Sequence, residues 1–535
     1  MQADLVFRNA EIDDGTGPAF VGDVAVTDGV ITAVEQNLPV EHSGQEIDGQ
    51  GLLLCPGFID MHAHSALRLF VDPSLTPKLA QGFTTEAICP DGLGPAPVRR
   101  SGMEDRRRYL AALEGTGPAE WGWESFDQFL EAVQEQQPSS NIVAYAPHSA
   151  VRDVAMGGDN RTPDAHEIAA MRGEVRDAFE AGARGLSFGL IYAPGLYAET
   201  SELIALAEIA AEYGAPLVPH VRNESAGVLD SIAEFIRVSE ATGAPLHVSH
   251  LKLVGAPHLL ENLVNLMVDA ADRIDLTFDH YPYGAGSTVL SALLPPWVND
   301  GGPSAILRRL HDKGLRKQMM REMNTGLPGW ENLYGACGPE HITVTDAAAP
   351  RGDTVGRGIA EIAAAEGVEP EVAVLDLLRD TELAVAMIDH YASEATVRAL
   401  FSVPNGLVGS DGMFNTHPHP RLYGTAPRVL GRYVKEGVVS RSEAISRLTW
   451  RAAERLGLDD RGRIAVGLRA DLVLIDQAQF IDAATYDAPH QSPPGLRHVL
   501  VGGSSVIVDG QHTGSQPGRV TRSSRTAALL ASARN

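Results

Sequence analysis

The 535-residue chain has only three cysteines, Cys55, Cys89 and Cys337, and no Cys-x-x-Cys pair. That excludes a disulfide framework and fits a reducing compartment, so the expected location is cytoplasmic. Lysine is scarce as well: Lys78, Lys252, Lys313, Lys317 and Lys435 are the five lysines among 43 basic residues. No uninterrupted apolar run reaches the ~18 residues that a membrane helix needs. The N-terminal MQADLVFRNAEIDD lacks the basic-then-apolar order of a secretion signal. There is no excess of positive charge either. The formal net charge is −26, and a surface of that sign repels nucleic acid and anionic membranes, which removes both as expected partners. No internal repeat is evident. What is left is a soluble globular composition with length for more than one domain.

The two ends share one texture. Segments 4–14 and 23–35, and again 463–476 and 498–510, carry Val and Ile in short runs broken by Gly and Asp. Two separated β-rich flanks predict one small β-sandwich domain built from both chain ends, residues 1–55 and 463–515, with 516–535 as a tail that packs on a neighbour. Between them, short apolar runs alternate with helical patterns. The expected strands are 52–60, 84–89, 141–147, 184–190, 216–220, 245–250, 274–281 and 406–411, with helices over 163–182, 202–214 and 225–243. Eight strands in βα alternation predict an α/β fold, a TIM-type (β/α)8 barrel over 56–462. Residues 288–350 break the rhythm with Pro, Gly and one charged helix at 304–323, and read as an insertion or lid over the barrel mouth.

The chemistry-bearing residues sit at strand ends. In FIDMHAHS (58–65), residues two apart on a strand point the same way, so His62 and His64 present both imidazoles to one ion. PLVPH ends in His220, PLHVSH in His250 and GLVGSD in Asp411. A parallel barrel opens all its strand C-termini on one face, so these five groups converge although they span 350 residues. This nitrogen and oxygen donor set suits Zn2+ or a similar divalent ion. Such an ion brings a water's proton within reach of neutral pH, and Asp411 is the expected general base and acid that takes it and returns it to a leaving amine. That is amide or lactam hydrolysis.

These features resemble the amidohydrolase superfamily: HAH after a buried first strand, histidines ending strands five and six, Asp ending strand eight, and phrases such as CPGFIDMHAH and VGLRADLVLID. QGFTTE (81–86), GLSFGLIYAPG (185–195), HVRNES (220–225), SHLK (249–252), DHYPYGAGST (279–288) and HPRLYGTAPRVLGRYV (419–434) are similar, more narrowly, to N-acyl-D-amino-acid deacylases (D-aminoacylases). The resemblance implies hydrolysis of an N-acyl-D-amino acid with one or two Zn2+ ions. It further implies that Arg421 grips the substrate carboxylate, that Tyr281 and Ser287 orient the carboxylate or scissile carbonyl, and that Lys252 faces the same pocket. A guanidinium forks onto a carboxylate, and a phenol donates to a developing oxyanion, so the roles are physically sound.

Two departures stand out. The resemblance implies a cysteine ligand after the second strand; the equivalent position here is Asp91, with Cys89 two residues earlier as the alternative. An acidic residue soon after His-x-His is also missing, its place taken by Ala66, which predicts weaker support for one metal position. A cyclic-amide hydrolase of hydantoinase or dihydroorotase type is the second reading, opposed by the absence of a lysine in strand four and by Arg421. A metal-free scaffold on the same fold is the non-enzymatic reading, opposed by the four histidines and Asp411. Homo-oligomerisation is left open.

Overall fold

The computed structural model describes residues 3–39 and 44–523. Eight parallel strands form the frame. They are β1 Phe58–His64, β2 Phe83–Ile88, β3 Asn141–Ala144, β4 Leu186–Gly189, β5 Leu217–His220, β6 Leu246–Val248, β7 Leu276–His280 and β8 Gly406–Val408. Nearly every residue in them is buried, as expected of strands covered on both faces. Pairing runs in parallel from β1 to β2 to β3, continues through Ala146–Pro147 to β4, and then passes stepwise to β8. The ring closes where Gly412 and Met413 pair with Ala63 and His64, and where Asp411 N–H donates to the His62 carbonyl at 2.8 Å.

Helices lie between the strands where the apolar periodicity predicts them: Ala165–Glu180, Thr200–Glu212 and Val228–Thr242. The first starts at a capping box, with the Asp164 carboxylate accepting from the His166 and Glu167 N–H groups and Glu167 reaching back. Among the described residues no helix is long and apolar enough to cross a membrane.

The chain ends meet. Leu53–Pro56 pairs antiparallel with Leu472–Ile475, joining five N-terminal strands to four C-terminal ones in a nine-stranded sheet. Leu5, Phe7, Val24, Ile31, Leu54, Leu472 and Leu500 form its apolar layer. Gly57 is the crossing point into the barrel: a Cβ there would stand 2.2 Å from Thr84 Oγ1, so only glycine lets the chain pass this close.

Between β7 and β8 the chain leaves the barrel from Ala285 to His390. Strands Ala285–Val289, Ile342–Ala347 and Val385–His390 make a three-stranded antiparallel sheet, with the last in the middle. Its apolar side packs on helices through Leu290, Leu310, Met319, Ile342, Leu378 and Met387, a core separate from the barrel's. The expected single helix over 304–323 is instead two, Gly302–His311 and Lys313–Thr325. Asp312 ends the first and caps the second, accepting from the Gly314 and Leu315 N–H groups. The described part of the tail, 516–523, packs on its own barrel. Ile142 N–H donates to Arg519 O, Thr521 N–H donates to Ile142 O, and Arg184 donates to Arg522 O. The rest of that segment, 524–535, lies outside the described residues.

Candidate metal centre

The five strand-end groups and Asp91 converge at the mouth of the barrel, all buried. Asp91 stands at the centre. Its Oδ2 lies 3.3 Å from His62 Nε2 and 3.5 Å from His64 Nε2, and its Oδ1 lies 3.7 Å from His220 Nδ1 and 3.4 Å from His250 Nε2. Asp411 Oδ1 is 3.7 Å from His62 Nε2 and 3.2 Å from His64 Nε2. Donor atoms about 2.0–2.1 Å from a tetrahedral zinc sit about 3.3 Å from one another. The spacing therefore fits two ion positions sharing Asp91, one with His62, His64 and Asp411 and one with His220 and His250. Cys89 lies among buried apolar side chains instead, and burial holds its thiol well above the usual range. Asp91, His250 and Asp411 have φ of 55°, 29° and 50°, a left-handed backbone that non-glycine residues seldom adopt.

Two observations test whether the donor set fits an ion. Both ring nitrogens of His62, and Asp91 Oδ1, are buried with no hydrogen-bond partner, which is costly unless another group satisfies them. The local field also favours positive charge. Burial pushes His62 down, but Asp91 and Asp411 outweigh it and raise it to about 10. His220 goes the other way, pulled to about 4 chiefly by burial, and so offers a neutral nitrogen. The site fits a divalent cation.

Supporting groups hold several of these side chains. Asp279 accepts from the His250 N–H at 3.0 Å, lies 3.1 Å from His247 Nε2 and faces His62 Nδ1 at 3.8 Å. Asp60 accepts from the Ser410 N–H at 2.7 Å and from Lys78 at 2.7 Å, tying β1 to the loop that carries Asp411. Glu224 Oε1 is 3.1 Å from His250 Nδ1, and its Oε2 is 2.9 Å from Lys252 Nζ. Burial opposes the Lys252 charge, but Glu224 outweighs it and keeps the ammonium protonated. The support that Ala66 cannot give comes from Glu114, the last residue of helix Met103–Glu114, whose Oε1 is 3.0 Å from His64 Nδ1. The expected weakness at that position is met from 50 residues away.

Arg421 completes the face. Its Nη2 lies 3.0 Å from Asp411 Oδ2 and donates to the Ser287 carbonyl at 3.1 Å, and its guanidinium stacks 4.5 Å from the Tyr281 ring centre. Its Nε and Nη1 are buried and unpartnered. Tyr281 accepts from the Tyr391 hydroxyl at 3.0 Å, leaving its own proton to donate. Ser287 lines the cavity, but its hydroxyl donates to Met387 O at 2.9 Å. Sequence reasoning missed Glu114, Asp279, Glu224 and, from the insertion, Asp389. Asp389 lines the same cavity, and burial pushes it up to about 6 against Lys252 and Arg421. Glu224, four residues after His220 in HVRNES, and Asp279, which opens DHYPYGAGST, carried the readable signals of the four.

Known proteins resemble this chain over nearly its whole length. The sequence profile of the amidohydrolase family matches residues 45–507. An N-acyl-D-glutamate deacylase of Alcaligenes xylosoxydans xylosoxydans is 32% identical over 525 residues, covering 97% of this chain and 96% of that protein. The crystal structure of an N-acyl-D-glutamate deacylase from Bordetella bronchiseptica, complexed with zinc and a phosphonate mimic of the tetrahedral intermediate, superposes with a TM-score of 0.82. It is 30% identical and covers 98% of this chain and 100% of that one. A D-aminoacylase structure describing a binuclear metal centre, with one-metal activation and second-metal attenuation, gives a TM-score of 0.82 at 28% identity, covering 97% and 100%.

Proposed function

Because the chain belongs to the amidohydrolase family, we propose that it is a zinc-dependent N-acyl-D-amino-acid deacylase, cleaving the linear amide to a carboxylate and a free D-amino acid. The observation that carries the substrate reading is Arg421. A buried guanidinium with two unpartnered nitrogens, touching the acid that faces the ion sites, is placed to receive a free carboxylate on the substrate. A hydantoin or dihydropyrimidine ring offers no such carboxylate, which disfavours the hydantoinase-type reading.

His62, His64, Asp91, His220, His250 and Asp411 would hold the zinc, which supplies Lewis acidity and brings a water's proton within reach of neutral pH. Asp411 does the proton work. Burial disfavours its charge, but Arg421, His62 and His64 outweigh it and hold the carboxyl well below the usual range, so it starts ionised. It accepts the proton of the attacking water as the new C–O bond forms. It then delivers that proton to the amide nitrogen as the C–N bond breaks. Tyr281 donates its hydroxyl proton toward the substrate's carboxylate or carbonyl oxygen, and Ser287 serves through its backbone carbonyl by fixing Arg421. Lys252 adds positive charge to the same cavity. A hydrolysis screen of N-acetyl-D- and N-acetyl-L-amino acids, with and without added zinc, tests the reading. Zinc-dependent release of D-amino acids is expected; turnover of hydantoins or dihydropyrimidines in their place overturns it.

A further inference from the structure

The small β-domain sends a strap across to the mouth of the barrel. Its strands Leu472–Ile475 and Leu496–Val501 are antiparallel neighbours that about two to five residues could join, yet the connection runs from 476 to 495 without a helix or strand. Loops of that length are uncommon in compact domains unless they carry function. This one lies along the segment that carries Arg421, which is weak as a helix. Arg421–Pro427 has as its last residue a proline, with no N–H to bond, and passes straight into a π-type turn at Arg428–Tyr433.

The strap braces that segment along its length. Phe480 shares an apolar cluster with Val429, Leu430 and Tyr433, and a Cβ at Gly431 would collide with the Phe480 carbonyl. Buried Asp482 accepts from Arg428 at 3.1 Å and from Arg432 at 2.9 Å. The Tyr486 carbonyl accepts from His417 Nε2 at 2.7 Å.

At the centre of the junction is His419, buried and two residues before Arg421. Its Nδ1 accepts the Arg421 N–H at 3.0 Å, which leaves the ring proton on Nε2. That N–H is shared between the Ala285 carbonyl at 3.1 Å and the Tyr486 hydroxyl at 3.3 Å. Burial and the neighbouring guanidinium hold the imidazole well below its ordinary range, so the neutral form persists. Ala285 opens the edge strand of the insertion's sheet, and Ser287, on the same strand, accepts from Arg421 Nη2 at 3.1 Å. One strand thus holds Arg421 twice, by its backbone through His419 and by its guanidinium directly. Fixing both ends of a long side chain removes in advance the rotamer freedom that binding would otherwise have to remove.

Resting on the deacylase reading, we propose that His419 is a positioning residue for Arg421, and that the strap of the small β-domain, acting through Tyr486, sets the enzyme's hold on the substrate carboxylate.

The test uses the zinc-loaded full chain, the N-acetyl-D-amino acid that it hydrolyses fastest, and the carboxamide of that substrate as the reference without the charge. In His419→Leu, KM for the acid is expected to rise by about 10-fold or more, since displacing a positioned group by ~1 Å costs up to about 100-fold. KM for the carboxamide (or its Ki, should it not turn over) and the zinc content stay at the parent's values. His419→Asn keeps an acceptor for the N–H two residues on and is expected to recover part of the loss. Tyr486→Ala, at a half-buried strap position, is expected to raise the same KM by about 3- to 10-fold, and carries the test alone if His419→Leu fails to fold. A merely structural contact would lower the melting temperature and leave the preference for acid over carboxamide unchanged. Such a result in His419→Leu overturns the positioning role, and in Tyr486→Ala the strap's share in it; either leaves the deacylase reading standing. A parent that binds acid and carboxamide equally overturns the carboxylate role of Arg421 and this proposal together. Inertness toward every N-acetyl-D-amino acid overturns the deacylase reading, and the proposal falls with it.

Discussion

Glu114 holds His64 from behind: one carboxylate oxygen lies 3.0 Å from Nδ1, and the other accepts the Ala66 N–H at 2.8 Å. The contact fixes the imidazole with Nε2 toward Asp91 and Asp411. An amide in place of the carboxylate keeps the shape and loses the charge. Glu114→Gln is therefore expected to lower zinc affinity at the His62–His64 position by about 10- to 100-fold, read by competition with a chelating dye. Unchanged affinity would remove Glu114 from that role.

Asp91 rather than Cys89 stands among the histidines. Asp91→Ala is expected to leave the desalted protein with at least one zinc fewer per chain by elemental analysis, whereas Cys89→Ser keeps the full complement. The reverse pattern would make the thiol the ligand.

Replacing Asp411 with Asn keeps donor atoms and volume but cannot take up a proton. Its kcat is expected to fall by about 10^2- to 10^4-fold, the usual worth of a positioned acid–base group, with zinc content and melting temperature close to the parent's. Activity near the parent's would assign the proton transfer elsewhere.

Arg421 is the residue proposed to hold the substrate carboxylate and also lies 3.0 Å from Asp411, so its removal has two readouts. In Arg421→Ala, KM is expected to rise about 100-fold or more for N-acyl-D-amino acids and little for their carboxamides. The pH profile shifts too. Arg421 is the foremost group holding Asp411 below its ordinary range against burial, so without it the Asp411 pKa rises and the acid limb of kcat/KM moves to higher pH. Arg421→Lys restores the charge but not the fork, and should recover the pH limb more fully than KM.

Glu86, on β2, is buried and raised from 4.5 to about 7, chiefly by burial with Asp60 adding, against Lys78 and its bonds from Ser65 and Ser140. A raised folded-state pKa favours folding below the unfolded value, and that contribution is lost as pH climbs through 7. Glu86→Gln should flatten this part of the pH dependence. Between pH 5 and pH 8 the parent is expected to lose on the order of 2–3 kcal/mol of unfolding free energy more than the variant. Parallel losses in urea titrations at the two pH values would count against it.

The barrel was legible because each strand is a short apolar run between turn residues, and His62, His64, His220 and Asp411 close such runs. The topology alone then brings them to one face. Groups that reach the site across the fold were not legible. Glu114 ends a helix with no local mark of its purpose, and Asp389 arrives on an insertion whose middle strand, Val385–His390, pairs with segments about 40 and 100 residues earlier. Local periodicity does not carry such antiparallel pairings. The helix break at 312 was readable in principle, since Asp is a favoured helix N-cap. The charged run on either side hid it.

Asp91, His250 and Asp411 all hold left-handed backbone at the ends of three different strands. Each such residue costs of order 1–3 kcal/mol unless its surroundings impose the conformation. The Asp411 N–H bond to the His62 carbonyl and the His250 N–H bond to Asp279 supply part of that restraint; a cation held between the side chains would add to it. An ion held by these residues would thus be a fastener as well as a reagent. It would latch β2, β6 and the loop after β8 at the mouth of the barrel, so that the chemical centre would double as the clasp that keeps the rim in shape.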